Sequence, residues 1–315
     1  MAETFLATLQ SITILLVIGI LGFVLISRRI MAQEVLQSLS RLAIEFALPC
    51  LAFYKIITSF SPAAMPSWWK LPLWYLFFVA VTGLTTLLLT PLIAGPGKRR
   101  EVGAALLYQN GLFVPLVIIT EVHGSESSLL VSLFLFTLLL PPFFFSTASF
   151  FFRDLSGELR VPWQKIFNPV LVITVLALVL QLTGGDIYMP SFIVATAKML
   201  GNMSVPLLLI ILGGTIYLDI KGDGQIEWLT ITRFVFVKNL VFPALMLGVV
   251  LLLQPERQLA YLLVLQSAVP PITSLPIVAE RNGGNRRLIN HLLIGSFAAA
   301  LVTIPLAMAV FAVVH

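Results

Sequence analysis

Two proline-interrupted apolar stretches carry the polar side chains best suited to bind a small molecule. The first, 109–121, reads Q-N-G-L-F-V-P-L-V-I-I-T-E, and the second, 266–280, reads Q-S-A-V-P-P-I-T-S-L-P-I-V-A-E. Proline lacks the amide hydrogen and clashes with the preceding turn, so a continuous helix cannot run through either stretch. Amides, hydroxyls and a half-helix N-terminus at such a break favour a carboxylate ligand. The candidate binding residues are Gln109, Asn110, Gly111, Pro115, Gln266, Ser267, Pro270, Pro271, Thr273, Ser274 and Pro276.

Three isolated carboxyl groups, Glu45, Glu121 and Glu280, are candidates for an ion or proton site. An ionisable residue inside a long apolar segment normally faces a cavity or an ion path. The alternative for Glu45 is an ion pair with Arg41, one turn away on the same helix face. The alternative for Glu121 and Glu280 is a solvated helix end after each broken stretch.

The sequence offers no catalytic or metal-binding constellation. It contains no G-x-S-x-G, H-E-x-x-H or Walker motif, and each of those patterns places a nucleophile, metal ligands or phosphate-binding amides at fixed spacing. The single cysteine, Cys50, excludes an intrachain disulfide and is too little for a cysteine-based metal site. We therefore expect a protein that is not an enzyme and has no cofactor or metal.

The composition identifies the environment that must position these residues. Hydrophobic residues make up 59% of the chain and charged residues 10%, with a mean hydropathy of +1.02, which is incompatible with an ordinary soluble domain. Runs without charge predict helices of about 20 residues that cross the bilayer. The charge-free runs are 4–27, 71–97, 102–120, 127–152, 166–185, 199–218, 239–255 and 258–279. The run 288–315 has only His291 as a titratable interruption, and 37–60 is predicted as a further span despite Glu45 and Lys55. The predicted fold class is an all-α polytopic membrane protein with ten transmembrane helices.

The basic residues indicate the orientation of the spans. With the N-terminus outside, 15 of the 19 Lys and Arg residues fall in inside loops. Inside loops are enriched in basic residues, so we expect a multi-pass protein of the cell (inner) membrane with both termini outside. The net charge of +5 then reflects topology and requires no nucleic-acid partner. We expect Lys198 and Lys238 to reach an interface by extending their side chains.

The spans divide into two sets of five at the loop 153–165. Pro49 and Pro206 lie in the second span of each set, and Gln109 and Gln266 lie in the fourth; each pair is 157 positions apart. Because five is odd, a duplicated half enters the membrane in the opposite direction, which predicts a 5+5 inverted repeat with broken fourth and ninth helices. The alternative is that the prolines only kink structural helices, which is common in membranes.

Five short motifs lie in a fixed order along the chain. They are L-P-C-L-A-F at 48–53, Q-N-G-L-F-V-P at 109–115, S-V-P-L-L-L-I-I-L-G-G-T at 204–215, A-V-P-P-I-T-S-L-P-I-V-A-E-R-N-G-G at 268–284 and I-P-L-A at 304–307. In order and spacing they resemble the auxin efflux carrier (PIN-like) family, which includes plant carriers and bacterial permeases for small organic acids. The short 153–165 loop is similar to that of bacterial members.

The resemblance implies a fold related to the bile acid sodium symporters. The repeats would be 1–155 and 156–315. Helices 1, 2, 6 and 7 would form a scaffold, helices 3–5 and 8–10 would form a moving transport domain, and helices 4 and 9 would cross at the substrate site. A homodimer would form through the scaffold helices.

The resemblance also assigns individual residues at the crossing. Asn110 takes the place of the family's crossover asparagine, Pro115 its first crossover proline, and Pro271 and Pro276 those of helix 9. The spacing from Asn110 to Pro115 is shorter than in plant carriers. Helix 3 lacks the charged residues of plant members, so ion coupling is not carried over.

We therefore predict a secondary active transporter that moves a small organic anion, either auxin-like or a mono- or dicarboxylate, by an elevator-type alternating-access mechanism. The alternatives are a sodium-coupled organic-anion symporter of the bile acid type, a passive channel, and a non-transporting membrane receptor that uses the same cavity. The expected partners are the anion, a coupling H+ or Na+ and the lipid bilayer. The substrate, the direction of transport and the coupling ion stay open.

Overall fold

A computed structural model describes residues 2–152, 167–220 and 227–314, and the regular elements within these ranges are all helices. The predicted all-α class is confirmed. The α-helices are α1 (Ala2–Ser27), α2 (Gln33–Leu42), α3 (Leu48–Ser59), α4 (Leu71–Ile93), α5 (Arg99–Leu107), α6 (Phe113–His123), α7 (Ser128–Phe136), α8 (Leu140–Phe152), α9 (Pro169–Thr183), α10 (Ser191–Asn202), α11 (Ser204–Ile220), α12 (Trp228–Phe236), α13 (Phe242–Leu253), α14 (Arg257–Ala268), α15 (Leu275–Arg281) and α16 (Arg286–Val314).

Six helical segments in the described ranges are long and apolar enough to cross a membrane. They are Gln33–Ser59, Trp68–Ile93, Ser128–Ala148, Ser191–Leu218, Trp228–Leu253 and Arg286–Val314. Shorter apolar helices occupy Leu16–Ser27, Phe113–His123 and Pro169–Thr183. These lengths and compositions confirm that the chain is a multi-pass membrane protein.

Two of the long segments contain a π-helical turn directly before a proline. The first turn is Ala43–Ala47, before Pro49, and the second is Val237–Val241, before Pro243. A proline cannot donate to the carbonyl four residues earlier, and in both segments that carbonyl belongs to a residue within the π turn. The wider turn therefore carries the chain past the missing hydrogen bond without ending the helix.

The first helix group consists of α1, α3, α9, α10 and α11. Helix α1 packs along α11, and α3 packs against α9 and α10. The α1–α11 contact is close because Gly22 and Gly213 have no Cβ: a methyl group on Gly22 would overlap the Ile210 carbonyl, and one on Gly213 would overlap the Gly19 carbonyl. Small residues thus allow the two helix backbones to approach closely.

The second helix group consists of α4–α8 and α12–α16. Helix α4 packs on α5 and α7, α14 packs on α13 and α16, and α15 packs on α8 and α16. The two groups meet where α6 contacts α1 and α11, where α7 contacts α3, and where α16 contacts α1 and α11. The broken helices lie in the second group, so this group positions the candidate site.

Candidate functional site

The breaks in the two interrupted helices lie against each other. The linker between α5 and α6 spans 108–112, and the linker between α14 and α15 spans 269–274. Gln109 and Pro271 form an isolated antiparallel bridge between them. The predicted interruption of both stretches is confirmed, and the two linkers form a crossing that consists of extended backbone from both.

Backbone hydrogen bonds hold the crossing together. The Asn110 amide donates to the Pro270 carbonyl at 2.8 Å, and the Ile272 amide donates to the Tyr108 carbonyl at 2.9 Å. Non-helical backbone at membrane depth must find its partners inside the protein, because the hydrocarbon core supplies none. Each linker therefore supplies the hydrogen-bond partners that the other lost when its helix stopped.

A side chain from one stretch satisfies the carbonyl that a proline leaves free in the other. Pro115 has no amide hydrogen to donate to the Gly111 carbonyl four residues earlier. The Nε2 of Gln266 donates to that carbonyl instead, at 2.6 Å, and Gln266 is only 1% exposed. A Cβ on Gly111 would lie 2.5 Å from the Gln266 Oε1. Gly111, Pro115 and Gln266 thus form one structural unit.

Gln109 has an unused donor at the crossing. Its Nε2 is buried and makes no hydrogen bond to any residue of the described ranges. Gln109 and Gln266 border a void of about 10 Å³, which is about the volume that one water molecule requires. The aromatic residues around the void are Tyr75, Phe78, Tyr108, Phe143 and Phe144. In this conformation the crossing is closed to any organic molecule.

The other predicted binding residues differ in their surroundings. The Ser267 hydroxyl donates to the Val264 carbonyl at 2.7 Å, so it serves its own helix. Thr273 and Ser274 are half-buried in the 269–274 linker. The structure therefore brings Gln109, Asn110 and Gly111 together with Gln266, Pro270 and Pro271. Pro276 lies in the first turn of α15.

The three candidate carboxyl groups lie away from the void. Glu45 is exposed in the first π turn and lines a separate, mainly apolar groove of about 760 Å³ between α3, α9 and α10. Glu121 is exposed near the end of α6. Glu280 forms an ion pair with Arg286 at 2.7 Å. Within the described ranges no group of three His, Cys, Asp or Glu side chains could hold a metal ion.

The expectation that Lys238 extends to an interface is wrong. It lies in the second π turn with a side chain that is 0% exposed. Its Nζ is 5.0 Å from the Phe242 ring centroid and has no hydrogen-bond partner among the described residues. The predicted span began at 239 because a charge ended the apolar run, whereas the helical segment begins at Trp228. The sequence feature that could have indicated burial of Lys238 is the presence of apolar runs on both sides of it.

The residue after Lys238 joins the same turn to α16. The Asn239 Nδ2 donates to the Ser296 carbonyl at 3.1 Å, and the Ser296 hydroxyl donates to the Asn239 Oδ1 at 2.8 Å. Both side chains are buried. Since the π turn also packs against α14, Lys238 is held on a fixed element next to the helix that leads into the crossing.

Fold and site together define a polytopic helical membrane protein that has an internal crossing of two broken helices. The model of a family described as "Membrane transport protein" matches residues 7–308, nearly the whole chain. The chain belongs to this family, that of the auxin efflux carriers and PIN-like proteins. It is therefore a membrane transporter, which fits the expectation that it is not an enzyme. A search of curated proteins finds no match.

Proposed function

We propose that this transporter is a secondary active carrier for a small organic anion and that the crossing is its substrate site. The observation that carries the proposal is the buried Nε2 of Gln109, which has no hydrogen-bond partner in the part of the chain that the structure describes, on a residue that borders the void at the crossing. An unused buried donor is costly unless something accepts from it. A carboxylate oxygen is a suitable acceptor, and the N-terminus of α6 adds partial positive charge nearby.

The buried amine of Lys238 supports an anionic substrate, because a bound anion would compensate an ammonium group at this position. A buried ammonium without an acceptor is strongly unfavourable, and a bound anion in the same helix group reduces that cost. The second π turn carries Lys238 and packs on α14, whose C-terminal end enters the crossing. A neutral or cationic substrate would give an ammonium group at Lys238 no such compensation.

The aromatic residues around the void support a substrate with a flat apolar body. Tyr108 is at the centre of this wall, with its ring centroid 5.1 Å from that of Phe144 and 5.7 Å from that of Phe143. Aromatic faces favour stacked or edge-on contact with another ring. We therefore place an auxin-like aryl carboxylate ahead of an aliphatic dicarboxylate.

The size of the void supports alternating access. A space for one water cannot hold a carboxylate, so the crossing has to open for the substrate to enter. We propose that the second helix group moves against the first in an elevator-type motion, with the first group as scaffold and as the surface of a homodimer. The proposed orientation has both termini outside, as the basic residues favour.

The proposed inverted repeat is supported by matching irregularities. Pro49 follows the π turn Ala43–Ala47, and Pro206 follows the interruption of the helix at Met203. Position 46 lies inside the first π turn, and position 203 lies 157 residues after it. The two helix irregularities are therefore separated by the same 157 residues as Pro49 and Pro206. The boundary between the proposed repeats 1–155 and 156–315 lies outside the described residues.

Uptake into proteoliposomes tests the proposal. We expect saturable uptake of indole-3-acetate or another aryl carboxylate, and at least a tenfold loss of it in Asn110→Ala and Gln109→Ala. Ser132→Ala is the matched control, because Ser132 is also a buried polar residue of the second helix group. Full uptake in both crossing variants would refute the site, and ligand-induced stabilisation without any flux would favour a receptor.

Dependence on a sodium gradient distinguishes the second candidate. If imposed Na+ gradients drive uptake and imposed pH gradients do not, the protein is a sodium-coupled organic-anion symporter. If neither gradient changes the rate, it is a uniporter or exchanger.

A further inference from the structure

A carboxylate of the second helix group is held by side chains of the first. Glu126 lies in the short loop between α6 and α7. The Lys55 Nζ on α3 lies 2.7 Å from its Oε2, and the Lys198 Nζ on α10 lies 3.3 Å from its Oε1. The Tyr54 hydroxyl donates to the same carboxylate at 3.2 Å. All three donors are in the first helix group, and the acceptor is in the second.

The donors form a preorganised site. The Lys55 side chain is 1% exposed, and Tyr54 is buried. The Tyr54 ring lies beneath both ammonium groups, with its centroid 4.7 Å from the Lys55 Nζ and 5.2 Å from the Lys198 Nζ. Cation–π contacts of this kind favour the placement of both ammonium groups over the Tyr54 ring. The side chains that face the carboxylate therefore all come from the first group.

The charges make Glu126 necessary in this arrangement. Two ammonium groups face one carboxylate, and one of the ammonium groups is removed from water. A buried charge that loses its partner is strongly destabilising. If the helix groups separate at this end, water solvates Lys55 and offsets the loss. Glu126 consequently favours the arrangement in which α7 is packed on α3.

We propose that Tyr54, Lys55 and Lys198 form a carboxylate-binding site of the first helix group, which Glu126 occupies as a latch that keeps this end of the transporter closed. The latch must open in every transport cycle, and the freed site then faces solution as a docking point for carboxylate anions. This proposal rests on the motion of the two groups proposed above. In the orientation with both termini outside, the latch is on the outer face.

The test measures access to the covered interface. Leu129 is 8% exposed on α7, the helix that packs on α3. In a Cys50→Ser background, a cysteine placed at this position by Leu129→Cys reports on opening through its reaction with a membrane-impermeant maleimide in right-side-out vesicles. We expect Glu126→Gln to raise the labelling rate about fivefold, because it removes the charge that pairs with the buried Lys55 and keeps the size of the side chain.

A second ion pair provides the matched control. Lys98 and Glu227 are 2.5 Å apart and about as exposed as the Lys198–Glu126 pair, but both belong to or directly flank the second helix group. Glu227→Gln therefore removes an ion pair without releasing a latch, and we expect it to leave labelling of the reporter unchanged. Equal increases in both variants would show general loosening and overturn the proposal.

A second readout examines the docking site itself. Benzoate at increasing concentration should compete with Glu126 for the two lysines and accelerate labelling of the wild-type reporter. Lys198→Gln should reduce this acceleration, because it removes the more exposed of the two cations.

The outcomes separate the latch from the transport proposal. Labelling needs no substrate, so faster labelling of Glu126→Gln supports the latch even if no organic anion is transported. If anion flux is measured but Glu126→Gln is labelled at the wild-type rate, the latch is refuted and the transport proposal stands. If benzoate does not change the labelling rate of the wild-type reporter, the docking site is refuted.

Discussion

The hydrogen bond from Gln266 to Gly111 makes a quantitative prediction about the crossing. Gln266→Leu keeps the approximate volume of the side chain and removes the donor that lies 2.6 Å from the Gly111 carbonyl. The carbonyl then stays buried without its partner, because Pro115 has no amide hydrogen to offer. An orphaned buried group costs about 1–3 kcal/mol. We expect the free energy of unfolding to fall by that amount and anion uptake to be abolished.

A second substitution tests the physical reason for this loss. Pro115→Ala returns an amide hydrogen at the position from which an α-helix donates to residue 111. In this background Gln266→Leu should cost less, with a coupling energy of about 0.5–3 kcal/mol between the two sites, the range for residues that share a partner. Thermal unfolding of the four proteins in detergent measures it, with a shift of roughly 2–4 °C per kcal/mol for large domains.

Two results would refute the reasoning. If Gln266→Leu is as stable as the wild type, the hydrogen bond to Gly111 does not contribute to the crossing. If the losses from Gln266→Leu and Pro115→Ala are additive, the two side chains do not act on the same carbonyl. Ser132→Ala controls for the loss of a buried polar side chain elsewhere in the second helix group.

Three further predictions concern the latch, the helix packing and the buried lysine. The hydrogen bond from Lys55 lowers the pKa of Glu126 below its ordinary value of 4.5. The latch is therefore fully present above that value, and interface labelling should rise only as the external pH falls through the lowered pKa. Gly22→Ala should lower the unfolding temperature by several degrees, because the added methyl group would overlap the Ile210 backbone. Gly248→Ala is the control, because there is open space around Gly248, and it should leave the unfolding temperature unchanged. Equal effects of the two substitutions would contradict the close α1–α11 contact. Lys238→Met should abolish uptake of the anion and leave the unfolding temperature unchanged or raised; retained uptake would separate this charge from substrate binding.

Local chemistry made much of the fold predictable. The long apolar runs determined the membrane environment, because no soluble core accommodates them. The prolines determined where α5–α6 and α14–α15 break, since a missing amide hydrogen acts within four residues of its own position. The predicted ends of the spans were less accurate. The run predicted at 199–218 belongs to a segment that begins at Ser191, and the run predicted at 239–255 to one that begins at Trp228. Neither the ion-paired Lys198 nor the buried Lys238 ends its helix.

Only the tertiary structure decided which of the candidate residues meet. The sequence suggested Gln109 and Gln266 as similar ligands, but Gln266 satisfies the Gly111 carbonyl, whereas the Nε2 of Gln109 is left with no partner. It likewise gave no means of distinguishing Lys238, which is buried, from Glu45, which lines a groove on the opposite helix group. These outcomes depend on which faces of distant helices pack together. That is decided by contacts between residues more than a hundred positions apart, whereas helix breaks and membrane insertion depend on neighbours along the chain.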